Sequence, residues 1–323
     1  MRPRGTHDRG RTQRLVLSIY GRYIAHTQFF PQPELKPYET TADLFVMDVL
    51  SGPFSTLDVR LGDGVIHVTL NRGGSLNAVN LDMALELHAV LAALETVQRQ
   101  PQEADAHQIS SMVLYAPGGC VGVDIAAADG DDSWDYKGVH SQELLSSLVG
   151  KLFSASPVVV FVADGPIVGL GFGLWLASDL RVATARATFR CGFSGLGLSN
   201  CDMGVSWMLP KVVGYAAASK IMLVDEAIPA EEALAHNLSH YVDGDLTAAT
   251  LRAQGLVAKM RSRHSRMGLN LTKKQLKTSV EGSSSLSQAL VAENAIQTML
   301  LSREDVMKMA RATLAGLGRR SKL

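Results

Sequence analysis

One segment constrains this chain more than any other. From Ser156 to Gly214 it reads SPVVVFVADGPIVGLGFGLWLASDLRVATARATFRCGFSGLGLSNCDMGVSWMLPKVVG. A wholly apolar run is followed by a glycine-dense turn and then by an apolar helix. A short polar strand, a second glycine-rich turn and another helix come after. Backbone amides at a glycine turn that opens a helix point outward and hold negative charge. Residues 157–177 are apolar enough to raise the question of a membrane span, but Asp164, Pro166 and several glycines interrupt them. A buried strand, turn and helix is the better reading, with no membrane span expected.

The remaining bounds are simple. A chain of 323 residues makes one large domain or two, with 46% hydrophobic residues for a core. Lysine plus arginine and aspartate plus glutamate both number 31, so overall charge argues for neither nucleic acid nor an acidic membrane surface. Three scattered cysteines, Cys120, Cys191 and Cys201, suit a reducing compartment, form no disulfide framework and show no metal-ligand spacing. No metal is expected.

Both ends look like addresses. Ser321-Lys322-Leu323 is the tripeptide read by the peroxisomal import receptor, with Arg319 and Arg320 before it. Residues 1–24 hold Arg2, Arg4, Arg9, Arg11, Arg14 and Arg22 against a single acid, Asp8. That bias suits a mitochondrial transit peptide or a disordered extension. The expected location is the peroxisomal matrix, with the mitochondrion as the alternative.

Along the chain, residues 1–52 form an extension without sustained period, and a core occupies 53–252. A helical oligomerisation region covers 253–318, and 319–323 is the targeting tail. Leu57, Val59 and Leu61, the turn Gly62-Asp63-Gly64, and the alternation from Val65 to Leu70 predict a hairpin. Helical spacing covers Asn80–Thr96 and Ser141–Phe153, and Ile109–Ala116 reads as a strand. The acidic stretch ADGDDSWDYKG from Ala128 and Ser283-Ser284-Ser285 read as loops. Near the C-terminus Ala289, Ile296, Leu300 and Leu301 share an apolar helical face. Two strands followed by a helix recur through the core, so the fold class is α/β.

Several strings in family order then identify a resemblance. TLNRGGSLNAVN (69–80) resembles "LNRP…NALN", with Gly73 in place of the usual proline. CVGVDI (120–125) resembles "CAGAD(L/I)", and DGPIVGLGFGLWLASDLRVA (164–183) resembles "NGxAxGGGxxLxxxCDxRxA". GLSNCDMGVSWMLPKVVG (197–214) and AIPAEEALAHNLSHYV (227–242) match two further strings. Together, over about 57–300, they resemble the enoyl-CoA hydratase/isomerase (crotonase) family. The resemblance implies a crotonase-like spiral of repeated strand-strand-helix units with a C-terminal helical region. It also implies an acyl-CoA substrate, with coenzyme A part of that substrate and no separate cofactor, and a homotrimer or homohexamer.

By position, the resemblance implies an oxyanion hole of the Val123 and Leu170 backbone N–H groups, beside Gly122, Gly169 and Gly171. Leu174 stands where a dinucleotide loop would need its third glycine, so that alternative is set aside. Arg72, Asp124, Lys273 and Lys274 are the candidates for CoA contacts, with surface salt bridging as the plain alternative for each lysine. Asp179 resembles the family's structural aspartate. Cys120 and Cys201 flank the pocket, and packing is the expected role of both.

The acids depart from the family. Gly173 and Phe193 stand where a typical hydratase carries its two glutamates, so both become acyl-pocket candidates and two-carboxylate hydration loses its groups. Asp202, in Cys201-Asp202-Met203-Gly204, is the remaining candidate acid/base. One carboxylate can take a proton from C2 and return it at C4. It also sits where it could cap the next helix, and the two roles are compatible. The expected function is double-bond isomerisation of an enoyl-CoA. The alternatives are hydration, in fatty-acid oxidation or in siderophore or toxin acyl-group synthesis, and an inert acyl-CoA-binding protein.

Overall fold

The computed structural model describes residues 49–50, 52–98, 109–125, 139–282, 286–309 and 311. A hairpin opens the core, β1 (Leu57–Gly62) and β2 (Val65–Leu70). It turns through Asp63 and Gly64, both at positive φ, as a two-residue turn matched to strand twist requires. Helix α1 (Leu81–Gln98) leads to β3 (Ser111–Pro117), and α2 (Val139–Ser154) to β4 (Val158–Asp164). Then come β5 (Pro166–Val168), α3 (Leu170–Ala177), β6 (Leu180–Thr184), β7 (Thr188–Arg190), α4 (Val205–Val213) and α5 (Tyr215–Val224). The rest is β8 (Ile228–Pro229), α6 (Ala230–Ala235), β9 (Tyr241–Asp243), α7 (Leu246–Arg263), α8 (Arg266–Val280) and α9 (Leu286–Leu301).

Two sheets result. The larger runs β1-β2-β3-β4-β6-β9, parallel except at the hairpin, and the smaller runs β5-β7-β8. All seven residues of β4 are buried, because helices cover both its faces. Val159, Phe161 and Ala163 join the main core with α1, α2 and α3. Val160 and Val162 meet Ala249, Ala253 and Val257 of α7 on the other face. The chain then leaves the large sheet, adds a short strand to the small one and returns as a helix. It does this in β4-β5-α3 and again in β6-β7-α4. Residues 111–125 follow the same course, with Cys120 bridging Ile167 of β5. The expected spiral of strand-strand-helix units is therefore present.

Two expectations are corrected. The boundary at 252/253 falls inside α7, whose Ala253 and Val257 are buried against the sheet, so this helix belongs to the core. Of the C-terminal apolar face, Leu300 is buried but Leu301 is exposed. The acidic stretch 128–138, Ser283-Ser284-Ser285 and both terminal addresses lie outside the described residues. Among the described residues, no helix is long and apolar enough to cross a membrane.

A buried histidine joins two of the covering helices. His88 of α1 is 1% exposed and its Nε2 meets the Leu144 carbonyl of α2 at 2.9 Å. Burial pushes its pKa down to about 4 from 6.5. Below pH 6.5 the unfolded chain binds a proton that the folded chain refuses, so folding stability falls as pH drops from about 6.5 to about 4. We expect a loss of up to about 3 kcal/mol from this residue across that window. His88→Gln should flatten the slope in urea melts taken between pH 7 and pH 4.

Candidate active site

The site begins where α3 starts. Gly169, at φ 59, is the residue before the helix, and Leu170 supplies its first N–H. No carbonyl lies one turn behind to accept that N–H, so it faces outward. The second segment comes from residues 120–125. Val79 donates to Gly122 O at 2.6 Å and accepts from Asp124 N at 2.9 Å. In such a parallel bridge the intervening Val123 directs its own N–H away from Val79. The segments touch: a Cβ on Gly122 (φ 89) would stand 3.2 Å from Val168 O and 3.5 Å from Leu170 N. The structure thus brings together the two backbone turns that carry the expected donors.

Helix α3 fits this place because it has no side chains where its neighbours are closest. A Cβ on Gly171 would overlap the Cys120 carbonyl oxygen, and one on Gly173 would lie 2.6 Å from Met203 O and 2.9 Å from Met203 Cβ. The space beside Gly173, expected to line the acyl pocket, is filled by the Met203 backbone. Phe193 is 8% exposed, and its ring is 3.7 Å from where a Gly169 Cβ would be. An apolar ring therefore stands one helical turn from the Met203 contact, beside the Leu170 amide.

Asp202 enters through the same turn. It is half-buried, and its Oδ1 accepts Met203 N–H at 2.7 Å and Gln142 Nε2 at 2.6 Å. It is not the cap of α4: Gly204 occupies that position without a side-chain cap. Asp202 instead shapes its own turn, in which Met203 adopts φ 48 and Gly204 φ 73. A left-handed methionine costs on the order of 1 kcal/mol, held here by the hydrogen bond and the burial of Met203.

The loop bearing Phe193 is fastened by residues that the sequence did not single out. Asn200 Oδ1 accepts from Phe193 N and Ser194 N, both at 3.1 Å, and its Nδ2 donates to Met222 O at 2.7 Å. Buried Asp225 accepts Gly192 N–H at 2.9 Å and the Ser194 hydroxyl, and pairs with Arg190 at 3.4 Å. Asparagine beside a glycine-rich turn was the available signal for Asn200. Gln142 carried none, because it lies on a different helix 60 residues upstream.

The expected CoA contacts separate. Arg72 pairs with Asp124 at 2.7 Å and also donates to Ala78 O, so these two lock the 72–78 turn onto the 120–125 segment. Lys273 is corrected outright. It is 6% exposed and bonded to Asp179 at 2.5 Å and to Pro157 O at 2.7 Å, and burial pushes its pKa down to about 8. Lys277 meets the other Asp179 oxygen at 3.2 Å, and Val159 N–H donates to Asp179 at 2.8 Å. Asp179 is thus the structural aspartate expected, and the Lys273 ammonium is committed to it and to the Pro157 carbonyl. Lys274 is exposed, and with Lys273, Phe153, Arg266 and Leu271 it lines a cavity of about 490 Å³. Cys120 is buried with its thiol pushed up to about 11, which fits packing. Cys201 is exposed, contrary to the packing expected of it.

The α/β spiral of strand-strand-helix units sets the 120–125 segment against the glycine turn that opens α3. The chain belongs to the enoyl-CoA hydratase/isomerase family, whose family model matches residues 60–314. It is 32% identical over 249 residues to a Mycobacterium leprae protein named a probable enoyl-CoA hydratase, covering 74% of this chain and 76% of that one. It is 30% identical over 216 residues to the 1,2-epoxyphenylacetyl-CoA isomerase of Escherichia coli K12, covering 66% and 78%. An enoyl-CoA hydratase structure from Bacillus anthracis superposes with TM-score 0.72 at 20% identity, covering 81% and 97%, a likeness of fold.

Two stability measurements follow from this geometry. Asp179→Asn leaves buried Lys273 and half-buried Lys277 without their counter-charge and should cost about 3–5 kcal/mol in urea unfolding. Gly173→Ala would gain up to about 1 kcal/mol on an open helix. Here it should instead destabilise by about 1–3 kcal/mol, because the Met203 carbonyl must move.

Proposed function

We propose that this enzyme shifts a double bond in an enoyl-CoA from C3 to C2, with Asp202 as its single acid/base. The observation that carries the reading is the closure at Gly173. The resemblance puts the hydratases' two glutamates at positions 173 and 193; here the Met203 peptide fills the space beside Gly173, and residue 193 is a phenylalanine. Hydration needs a base for water and an acid for the other proton, and neither residue supplies one. Asp202 adjoins that peptide and has a carboxylate to offer.

In this reading the thioester oxygen sits between the Val123 and Leu170 N–H groups. Asp202 takes a proton from C2, and the electron pair of the broken C–H bond moves into an enolate held by the two amides. The enolate collapses as C4 takes the proton back from Asp202, leaving the double bond between C2 and C3. Phe193 makes the wall beside the hole apolar and favours a hydrocarbon acyl chain over one ending in a second carboxylate. CoA phosphates would meet Lys274 rather than Lys273.

Hydration remains the second reading, favoured by the name of the M. leprae relative. Exposed apolar residues on α4 and α5, among them Trp207, Tyr215 and Leu223, support a homotrimer or homohexamer. The tripeptide Ser321-Lys322-Leu323 supports import into the peroxisome.

The deciding experiment is incubation in D₂O with a 3-enoyl-CoA and, separately, a 2-enoyl-CoA, following products by mass. We expect isomerised product from the first, reduced at least about a hundredfold in Asp202→Asn and unchanged in Cys201→Ala. Hydrated product from the second, undiminished in Asp202→Asn, would overturn the reading. Binding without turnover of either would place the chain among inert acyl-CoA binders.

A further inference from the structure

We propose that Gln142 is the positioning residue for the Asp202 carboxylate, an inference that rests on the isomerase reading above. A lone aspartate can serve as acid/base only if one oxygen points at C2 and then C4 without turning away between the two transfers. The terminal torsion of an aspartate is broad, so nothing in the side chain itself enforces that. The protein does so from two sides. Met203 N–H reaches Oδ1 from the aspartate's own turn at 2.7 Å, and Gln142 Nε2 reaches the same oxygen from α2 at 2.6 Å.

Two donors on one oxygen, fixed to different elements, hold the carboxylate plane. Among the described residues no hydrogen bond is made by Oδ2. The geometry therefore divides the labour: Oδ1 is the anchored oxygen, and Oδ2 takes the C2 proton and delivers it to C4. Gln142 is exposed, and the helix that bears it is held by its opposite face. Leu145, Leu148 and Val149 of α2 are buried in the core, and Val149 packs against Gly173 and Gly204, on either side of Met203. The helix that presents Gln142 is thus seated on the same turn that carries Asp202. Gln142 touches no reacting atom and acts only through the aspartate.

The test compares Gln142→Met, which keeps length and loses the donor, with Gln142→Lys, which keeps a donor on an unbranched stem. Both are assayed with trans-3-hexenoyl-CoA in H₂O and D₂O. A carboxylate free to swing should lower kcat about tenfold in Gln142→Met with KM within twofold. More of the product should then carry solvent deuterium at C4, because the proton escapes before it is returned. Gln142→Lys should recover several-fold of the lost kcat and most of the internal return. Binding of hexanoyl-CoA by calorimetry, expected unchanged in both, reports that the pocket is intact. Wild-type kcat and label in Gln142→Met would overturn the proposal, as would an equal loss in the two variants accompanied by weaker hexanoyl-CoA binding. Failure of the isomerase reading is scored separately, in Asp202→Asn: full turnover there would remove the acid/base itself.

Discussion

The approach of bare backbone to helix α3 is the constraint on which the rest of the structure depends. At Gly171 the helix lies against the Cys120 carbonyl and at Gly173 against that of Met203, closer than any side chain would allow. The first contact draws the 120–125 segment in until Val123 and Leu170 stand on neighbouring turns. The second draws in the turn that carries Asp202. Replacing either glycine by a larger residue would push apart the parts that make the site, with the β4 core still packed behind them.

The same helix explains why the site has its particular chemistry. Its first N–H is available to hold an oxyanion because helices begin with unpaired donors. Its face one turn later is closed by a peptide rather than opened by a carboxylate. In the proposed reaction, proton transfer falls to an aspartate on the neighbouring turn, anchored through one oxygen. The half-buried Asp179 with Lys273 and Lys277 belongs to a different task. It ties the C-terminal end of α3 to α8 and to the start of β4.

Legibility in the sequence followed locality. The hairpin of β1 and β2, the fully buried β4 and the glycine turn before α3 are written in consecutive residues, through alternation, an unbroken apolar run and positive φ. The two backbone segments proposed for the oxyanion hole could be placed by their resemblance to a family, because each is a contiguous string. Lys273 was misplaced because a lysine on an amphipathic helix looks the same whether its ammonium meets solvent or a buried aspartate. Asp202 looked like a helix cap because its distance from α4 suits one. Its hydrogen bonds run instead to the next residue and to another helix.

The sequence by itself therefore determined the α/β spiral, the family and the absence of carboxylates at positions 173 and 193. All of these rest on short-range patterns of hydrophobicity, glycine and order. Only the tertiary structure decided that Gly173 is closed by Met203, that Lys273 is a buried counter-charge and that Gln142 holds Asp202. Those contacts join residues from 30 (Gly173 and Met203) to 116 (Lys273 and Pro157) positions apart. Such distances are set by how whole elements pack, and no local pattern of side chains encodes them.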